Sequence, residues 1–305
     1  MGYNCVVCAK QVPDTKRITG AAMKDDGTVN RAALPAIFNP EDLNALEEAL
    51  AIRDAHGGSV TIITMGLPNA CEVLREALAR GADRAILITD RRAAASDTLA
   101  TSYILSCAIK KLNADIILCG RQAIDGDTAQ VGPQLAQKMG FNLLTYVEQL
   151  VGLEGQTKTI RVRRNVGNGW ETVACALPAL LTVMDTANMP RPKAAKRMMK
   201  FKKALSPAEL AKKVDEQFLQ SGDAEKAAEI AKRTADLKAK GMLIEQWNLD
   251  DIAADLTWCG WQGSPTKVHK IQSVVLKGGQ YKQYEPTEQE IAKLVGELIE
   301  EHTIG

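Results

Sequence analysis

Residues 60–89 read VTIITMGLPNACEVLREALARGADRAILIT, and their pattern decides the fold class. Residues 60–65 and 84–89 are short runs of β-branched and other apolar residues, the composition of strands buried on both faces. Between them, 69–80 carries a helical pattern, and Gly81 follows where a left-handed residue ends a helix. A strand, a helix and a second strand in this order predict parallel pairing through a right-handed crossover. The unit recurs on both sides. Residues 3–9 and 115–119 are further strands, and 41–54, 97–111 and 128–139 further helices. Asn39 stands before Pro40 as an N-cap, Asp97 caps the third helix, and Gly57 and Gly58 follow the first. The expected architecture is α/β, a layered parallel sheet with helices on both faces.

Other segments depart from this rhythm. Residues 14–38, with Gly20, Gly27 and Pro35, read as a hairpin or loop excursion after the first strand. Residues 157–164 alternate, 165–169 form a Gly/Asn-rich turn, and 171–176 return, which is a hairpin pattern. Residues 180–184 supply one more buried strand. From residue 185 the character shifts: Pro190, Pro192 and a basic run through Lys203 read as an extended arm. Residues 208–240 are Ala/Lys/Glu-rich and helical but poor in large apolar residues, so they are expected on the surface or against a partner. Residues 288–302 form another amphipathic helix. The expected division is a nucleotide-binding core, 1–188, followed by a partner-binding arm and helical extension, 189–305.

The chain has 305 residues, 46% hydrophobic and 25% charged, with 38 Lys+Arg against 37 Asp+Glu. That balance excludes wholesale disorder and removes any global electrostatic case for nucleic acid. No apolar run approaches the ~20 residues of a membrane span, and no signal peptide is visible. Seven cysteines, an odd number thinly spread, predict reduced thiols in a cytoplasm. Cys5 and Cys8, three apart on a strand, point to opposite faces and cannot share a metal or a disulfide. His56, His269 and His302 lack neighbours at ligand spacing, so nothing points to zinc.

In a parallel sheet, ligands bind beyond the carboxyl ends of the strands, where helices begin. The candidate loops carry Ala9, Lys10, Val12 and Asp14; Asn39 and Asp42; Met65 and Gly66; Asp97 and Thr98. The most informative is 120–133, with Gly120, Arg121, Gln122, Asp125, Gly126, Asp127, Thr128, Gln130, Val131 and Gly132. Its main-chain amides and the following helix dipole suit an anionic phosphate, and Arg121 suits a phosphate or a planar ring. The loop is neither G-x-G-x-x-G nor a P-loop. Asp125 and Asp127 read equally as helix caps and as ligand contacts. No nucleophile has a base beside it, so a bound cofactor is the better carrier of chemistry.

These residues resemble a known family. GRQAIDGDTAQVGP (120–133) is similar to the nucleotide-binding signature of the β (small) subunit of electron transfer flavoproteins. The resemblance extends through VCAKQVPD (7–14), NPEDLNALEEAL (39–50), TMG (64–66), GADRA (81–85) and SDTLAT (96–101), and spans residues 3–200 in order.

The resemblance implies a fold like adenine-nucleotide α-hydrolases and an α subunit that carries FAD. In conventional members the small subunit holds AMP, and in bifurcating and nitrogen-fixation branches it holds a second FAD. The adenine nucleotide would meet Ala9, 39–42, Met65 and 120–131, with the isoalloxazine near 12–14 and 65–66. Conventional members carry DDDCNQT where this chain has Asp125-Gly126-Asp127-Thr128-Ala129-Gln130-Val131. That difference, the segment 53–58 and the patch CGWQGSPT (259–266) favour FAD. The implied activity is NADH-dependent electron bifurcation. One electron passes to the α-subunit flavin and on to a dehydrogenase or quinone reductase, the other to ferredoxin or flavodoxin. An arm with Pro190, Arg191, Ala195, Met198 and Met199 would dock an acyl-CoA dehydrogenase-like partner, although Ala195 or a neighbour stands where conventional members insert a leucine. The rivals are a conventional carrier with structural AMP and a stress-type adenine-nucleotide sensor. An ATP-consuming ligase is disfavoured because SGGxDS is absent.

Overall fold

The computed structural model describes residues 2–14, 34–219, 222–267 and 282–300. The chain opens with β1 (Tyr3–Cys8), whose side chains alternate between two apolar layers: Cys5 and Val7 face one, Val6 and Cys8 the other. That alternation is the pleat expressed in sequence. It separates Cys5 from Cys8 as expected, and burial pushes the Cys5 thiol up to about 12, the state of an inert structural cysteine.

After β1 come β2 (Gln11–Pro13) and β3 (Ala36–Phe38), which pair antiparallel. They are the base of the expected hairpin; the rest of it lies outside the described residues. There follow α1 (Pro40–His56), β4 (Gly58–Met65), α2 (Cys71–Arg80), β5 (Arg84–Ile88), α3 (Thr98–Lys110), β6 (Ile116–Gly120) and α4 (Val131–Met139). Helix α2 starts two residues later than its pattern predicts, because a 3-10 turn (Pro68–Ala70) precedes it. A long β7 (Asn142–Glu154) leads through β8 (Thr159–Asn165) and β9 (Trp170–Ala176) to β10 (Ala179–Val183).

The main sheet runs β5-β4-β1-β6-β10-β7, parallel throughout, and β8 and β9 extend it antiparallel at one edge. One apolar layer takes Leu46, Leu50 and Ile52 of α1 and Leu74 of α2. The other takes Ile104 and Ile109 of α3 and Leu135 of α4. The α/β sandwich expected from the sequence is therefore present.

Beyond residue 188 the chain differs from the expected extended arm. It turns helical at α5 (Ala195–Phe201), held to α2 by Arg197, which donates to the carbonyls of Leu78 (2.7 Å) and Ala82 (2.6 Å). Helices α6 (Pro207–Gln217) and α7 (Asp223–Ala239) share a small core of Leu210, Val214 and Leu237, and Glu209 of α6 pairs with Arg75 of α2 at 2.9 Å. A three-residue strand, β11 (Glu245–Trp247), then adds parallel to β5, giving nine strands. Its sequence is too short to be legible as a strand. A short helix, α8 (Gly260–Gly263), and α9 (Glu288–Glu300) follow. Among the described residues no helix is long and apolar enough to cross a membrane.

Candidate functional site

After β1 the chain builds one flank of the sheet through β4 and β5, then crosses back to lay β6 on the other side of β1. Adjacent loops after β1 and β6 therefore diverge, which opens a crevice at the strands' carboxyl ends. A cleft of about 410 Å³ lies there, within the range typical of small-molecule sites.

The start of α1 organises it. Asp42 is buried, and its carboxylate accepts the main-chain N–H of Lys10 at 2.8 Å and of Gly120 at 3.0 Å, joining the ends of β1 and β6. Glu41 accepts Gln122 N at 2.7 Å and pairs with Arg121 at 2.9 Å. Asn39 precedes Pro40 as expected, but its side chain does not cap α1. It donates instead to the Gln122 carbonyl at 2.9 Å and accepts Ile124 N at 3.2 Å, so it clasps the 120–133 loop. Burial pushes the Asp42 carboxyl up to about 7; hydrogen bonds from Lys10, Asn39 and Gly120 oppose this. Beside it Gly120 has no room: a Cβ would sit 2.5 Å from Asp42 Oδ1.

Two helices begin at this cleft and differ in charge. At α3, Asp97 caps as expected by accepting Ala100 N at 2.9 Å, which places a carboxylate on the dipole. At α4 the N-cap residue, Gln130, makes no side-chain capping bond. Asp127 and Ala129 just before it adopt positive φ, 47° and 52°, a backbone form found where successive N–H groups bind anions. An anion is therefore favoured at α4 over α3. Neither Asp125 nor Asp127 is the helix cap: Asp125 pairs with Lys10 at 2.7 Å, and Asp127 accepts from Gln122 Nε2 at 3.1 Å. Arg121, besides Glu41, lies 5.9 Å from the Tyr146 ring, and its buried Nε has no hydrogen-bond partner. Among the described residues no three metal-ligating side chains converge.

Ala9, Lys10, Asp42, Met65, Asp97, Thr98, Gly120, Arg121, Gln122, Gly126, Asp127, Thr128, Gln130, Val131 and Gly132 line this one cleft. Five candidates do not. Val12 and Asp14 are buried at the β2–β3 ribbon, Asn39 lies behind the loop, and Gly66 N donates to the Ile88 carbonyl at 3.0 Å. Asp125 stands on the outer lip with Lys10. The candidate loops also supply Ser96, Ala123 and Ala129, whereas sequence reasoning missed Cys8, Ile63, Thr101, Leu105 and Cys119, which line the cleft as well. Thr101 and Leu105 lie one and two helical turns beyond Asp97, so helical spacing from the cap would have found them.

A family model described as "Electron transfer flavoprotein domain" matches residues 26–211, which include the whole 120–133 loop. The chain belongs to the electron transfer flavoprotein family. It is 40% identical to "Electron transfer flavoprotein subunit beta" of Clostridium acetobutylicum, over 99% of this chain and 100% of that one. It is 37% identical to "Protein FixA" of Sinorhizobium fredii (96% and 91% covered). It is 38% identical to "Caffeyl-CoA reductase-Etf complex subunit CarD" of Acetobacterium woodii (98% and 99% covered). It is thus a small-subunit type member of the electron transfer flavoprotein family.

The candidate partner-contacting residues split in two. Arg191 is spent inside the chain, with Nε and Nη2 both 2.9 Å from the Glu47 carboxylate and Nη1 2.8 Å from Asp54. Pro190 is half-buried beside it, whereas Ala195, Met198 and Met199 are exposed, as is Met189 at 90%. Arg191 thus anchors the arm to α1. Lysine cannot reproduce the fork, so R191K should cost about 1 kcal/mol in chemical denaturation. It should also speed hydrogen exchange at Ala194 N, which bonds to the Ala79 carbonyl at 3.0 Å.

Proposed function

We propose that this chain is the small subunit of a heterodimeric electron transfer flavoprotein whose cleft holds the ADP portion of FAD, in an NADH-oxidising, electron-bifurcating complex. The observation that carries the reading is the backbone before α4: Asp127 and Ala129 at positive φ lead into a helix start with no side-chain cap, a form suited to cradle an anion. A side chain at Gly126 would meet nothing within 4 Å, so the loop leaves room there for a second phosphate. The similarity to FixA and to a caffeyl-CoA reductase-Etf complex subunit points the same way.

When bound, FAD supplies one- and two-electron redox chemistry. The protein's share is to bind and orient. Ala9 and Met65 would line the adenosine side of the cleft and the 126–132 amides would hold phosphate, while Asp42 and Asn39 hold the loops that carry those amides. Lys10 and Arg121, already paired with Asp125 and Glu41, add a balanced field rather than a free cation. The α subunit would carry the second flavin. The exposed Met189, Met198 and Met199 would meet a dehydrogenase or quinone reductase, and ferredoxin or flavodoxin would take the low-potential electron, all in the cytoplasm.

The visible spectrum of the purified αβ heterodimer tests this. Two flavins per heterodimer are expected, with NADH-dependent ferredoxin reduction that requires a high-potential acceptor. One flavin accompanied by AMP would overturn the bifurcation reading in favour of a conventional carrier.

A further inference from the structure

The patch CGWQGSPT, 259–266, lies far along the chain from the cleft loops, yet it packs against the cleft wall. Ser264, 2% exposed, accepts Asp97 N at 2.9 Å and donates to the Gly260 carbonyl at 2.7 Å. Thr266 N donates to Asp97 Oδ2 at 3.0 Å, and Gly260 N donates to Ser96 Oγ at 3.1 Å. Upstream, Asp255 N donates to the Tyr103 hydroxyl on α3 at 2.9 Å. The approach is close enough to require glycine: a Cβ on Gly260 would run into the Arg92 carbonyl oxygen. Four hydrogen bonds and one glycine contact thus bind a strap, 255–266, to α3 and the turn before it.

The consequence reaches the ligand side. Asp97 uses Oδ1 on Ala100 N and Oδ2 on Thr266 N, so its position is set by its own helix and by the strap together. The next residue, Thr98, donates through Oγ1 to Gln130 Oε1 at 2.8 Å, and Gln130 is the N-cap position of α4. A continuous polar path therefore runs from the strap through Asp97 and Thr98 to the anion cradle. Without the strap, Asp97 N would lose its partner and the Ser96–Thr98 edge would gain freedom that ligand binding must then remove.

We propose that Ser264 and the Thr266 amide are positioning residues for the cleft, holding the α3 edge at the spacing an adenine diphosphate requires. This rests on the reading of the cleft as an adenine-nucleotide site. By linkage, an occupied cleft should tighten the strap in return.

The test is calorimetric titration of the full-length, nucleotide-freed protein with ADP and with FAD, in wild type, S264A and S206A. Ser206 is equally buried and caps α6 by accepting Glu209 N at 3.3 Å, away from the cleft, so S206A reports the cost of losing a buried hydroxyl as such. S264A should weaken ADP roughly 3- to 10-fold, the worth of one hydrogen bond. S206A should lower the melting temperature comparably and leave affinity unchanged. Wild-type affinity in S264A, or equal weakening in both variants, overturns the proposal. If S264A does not fold, T266P, which deletes one exposed main-chain donor, is read by the same criteria. A wild type that binds neither ADP nor FAD overturns the nucleotide reading first and this one with it. A wild type that binds them, beside an unaffected S264A, overturns the strap alone.

Discussion

G120A is expected to abolish nucleotide binding and to destabilise the fold by about 3 kcal/mol. The added Cβ would stand 2.5 Å from Asp42 Oδ1 and 2.8 Å from both Asp42 N and Glu41 C. None of these atoms is the end of a flexible side chain free to swing away. Asp42 is buried and bound to two strand ends, and Glu41 N-terminal to it is engaged with Gln122 and Arg121. Relief can come only by moving the start of α1 away from β6, and that movement pulls on Lys10 N and the 120–133 loop together. Equilibrium denaturation and ADP titration measure the two effects. A stable G120A protein with wild-type affinity would show that the close approach of α1 to β6 is not what shapes the cleft. By contrast G126A, whose Cβ would meet nothing within 4 Å, should fold normally.

D42N carries the second large effect. Each carboxylate oxygen accepts one main-chain N–H. An asparagine must turn its NH2 toward one of them, leaving two donors facing each other in a buried site, at a cost of about 2–3 kcal/mol. The variant also changes the pH profile in a definite direction. Burial raises the Asp42 pKa from 3.8 to about 7, so between those values the folded chain keeps a proton that the unfolded chain releases. Through this site, stability therefore falls as pH rises from about 4 to about 7 and is level outside that window. D42N should remove this component of the slope while lowering stability throughout. Denaturation at a series of pH values decides it: a D42N slope parallel to wild type between pH 4 and 7 would mean that Asp42 is charged across the range.

The β-α-β rhythm of residues 3–139 was legible because strands buried on both faces must be short and apolar and their crossovers amphipathic. Those demands are local. So was the loop 120–133 as a wall of the cleft, since a glycine-rich polar stretch between a buried strand and a helix start is a local pattern. What Asn39 does was not local. Its place before Pro40 predicts a cap, but the Gln122 carbonyl and the Ile124 amide, more than eighty positions away, compete for its side chain and win. The pairing of Arg121 with Glu41 and of Asp125 with Lys10 has the same origin: charges judged suitable for a ligand are partly neutralised by neighbours that only folding brings near.

The C-terminal third marks the boundary most sharply. Helices α6, α7 and α9 declare themselves through composition, but β11 is three residues long and has no period to read. Its identity as a strand comes from pairing with the edge of β5, since an edge strand offers a row of donors and acceptors. The strap behaves likewise: Ser264 and Thr266 matter because Asp97 lies across from them. The sequence alone therefore determined the layered α/β architecture, the 120–133 loop as a candidate site and the family, all of which rest on contiguous residues. Which side chains stay available at that site, and which distant segments hold it in shape, only the tertiary structure decided, because hydrogen-bond partners in a buried cleft are chosen by proximity in space rather than along the chain.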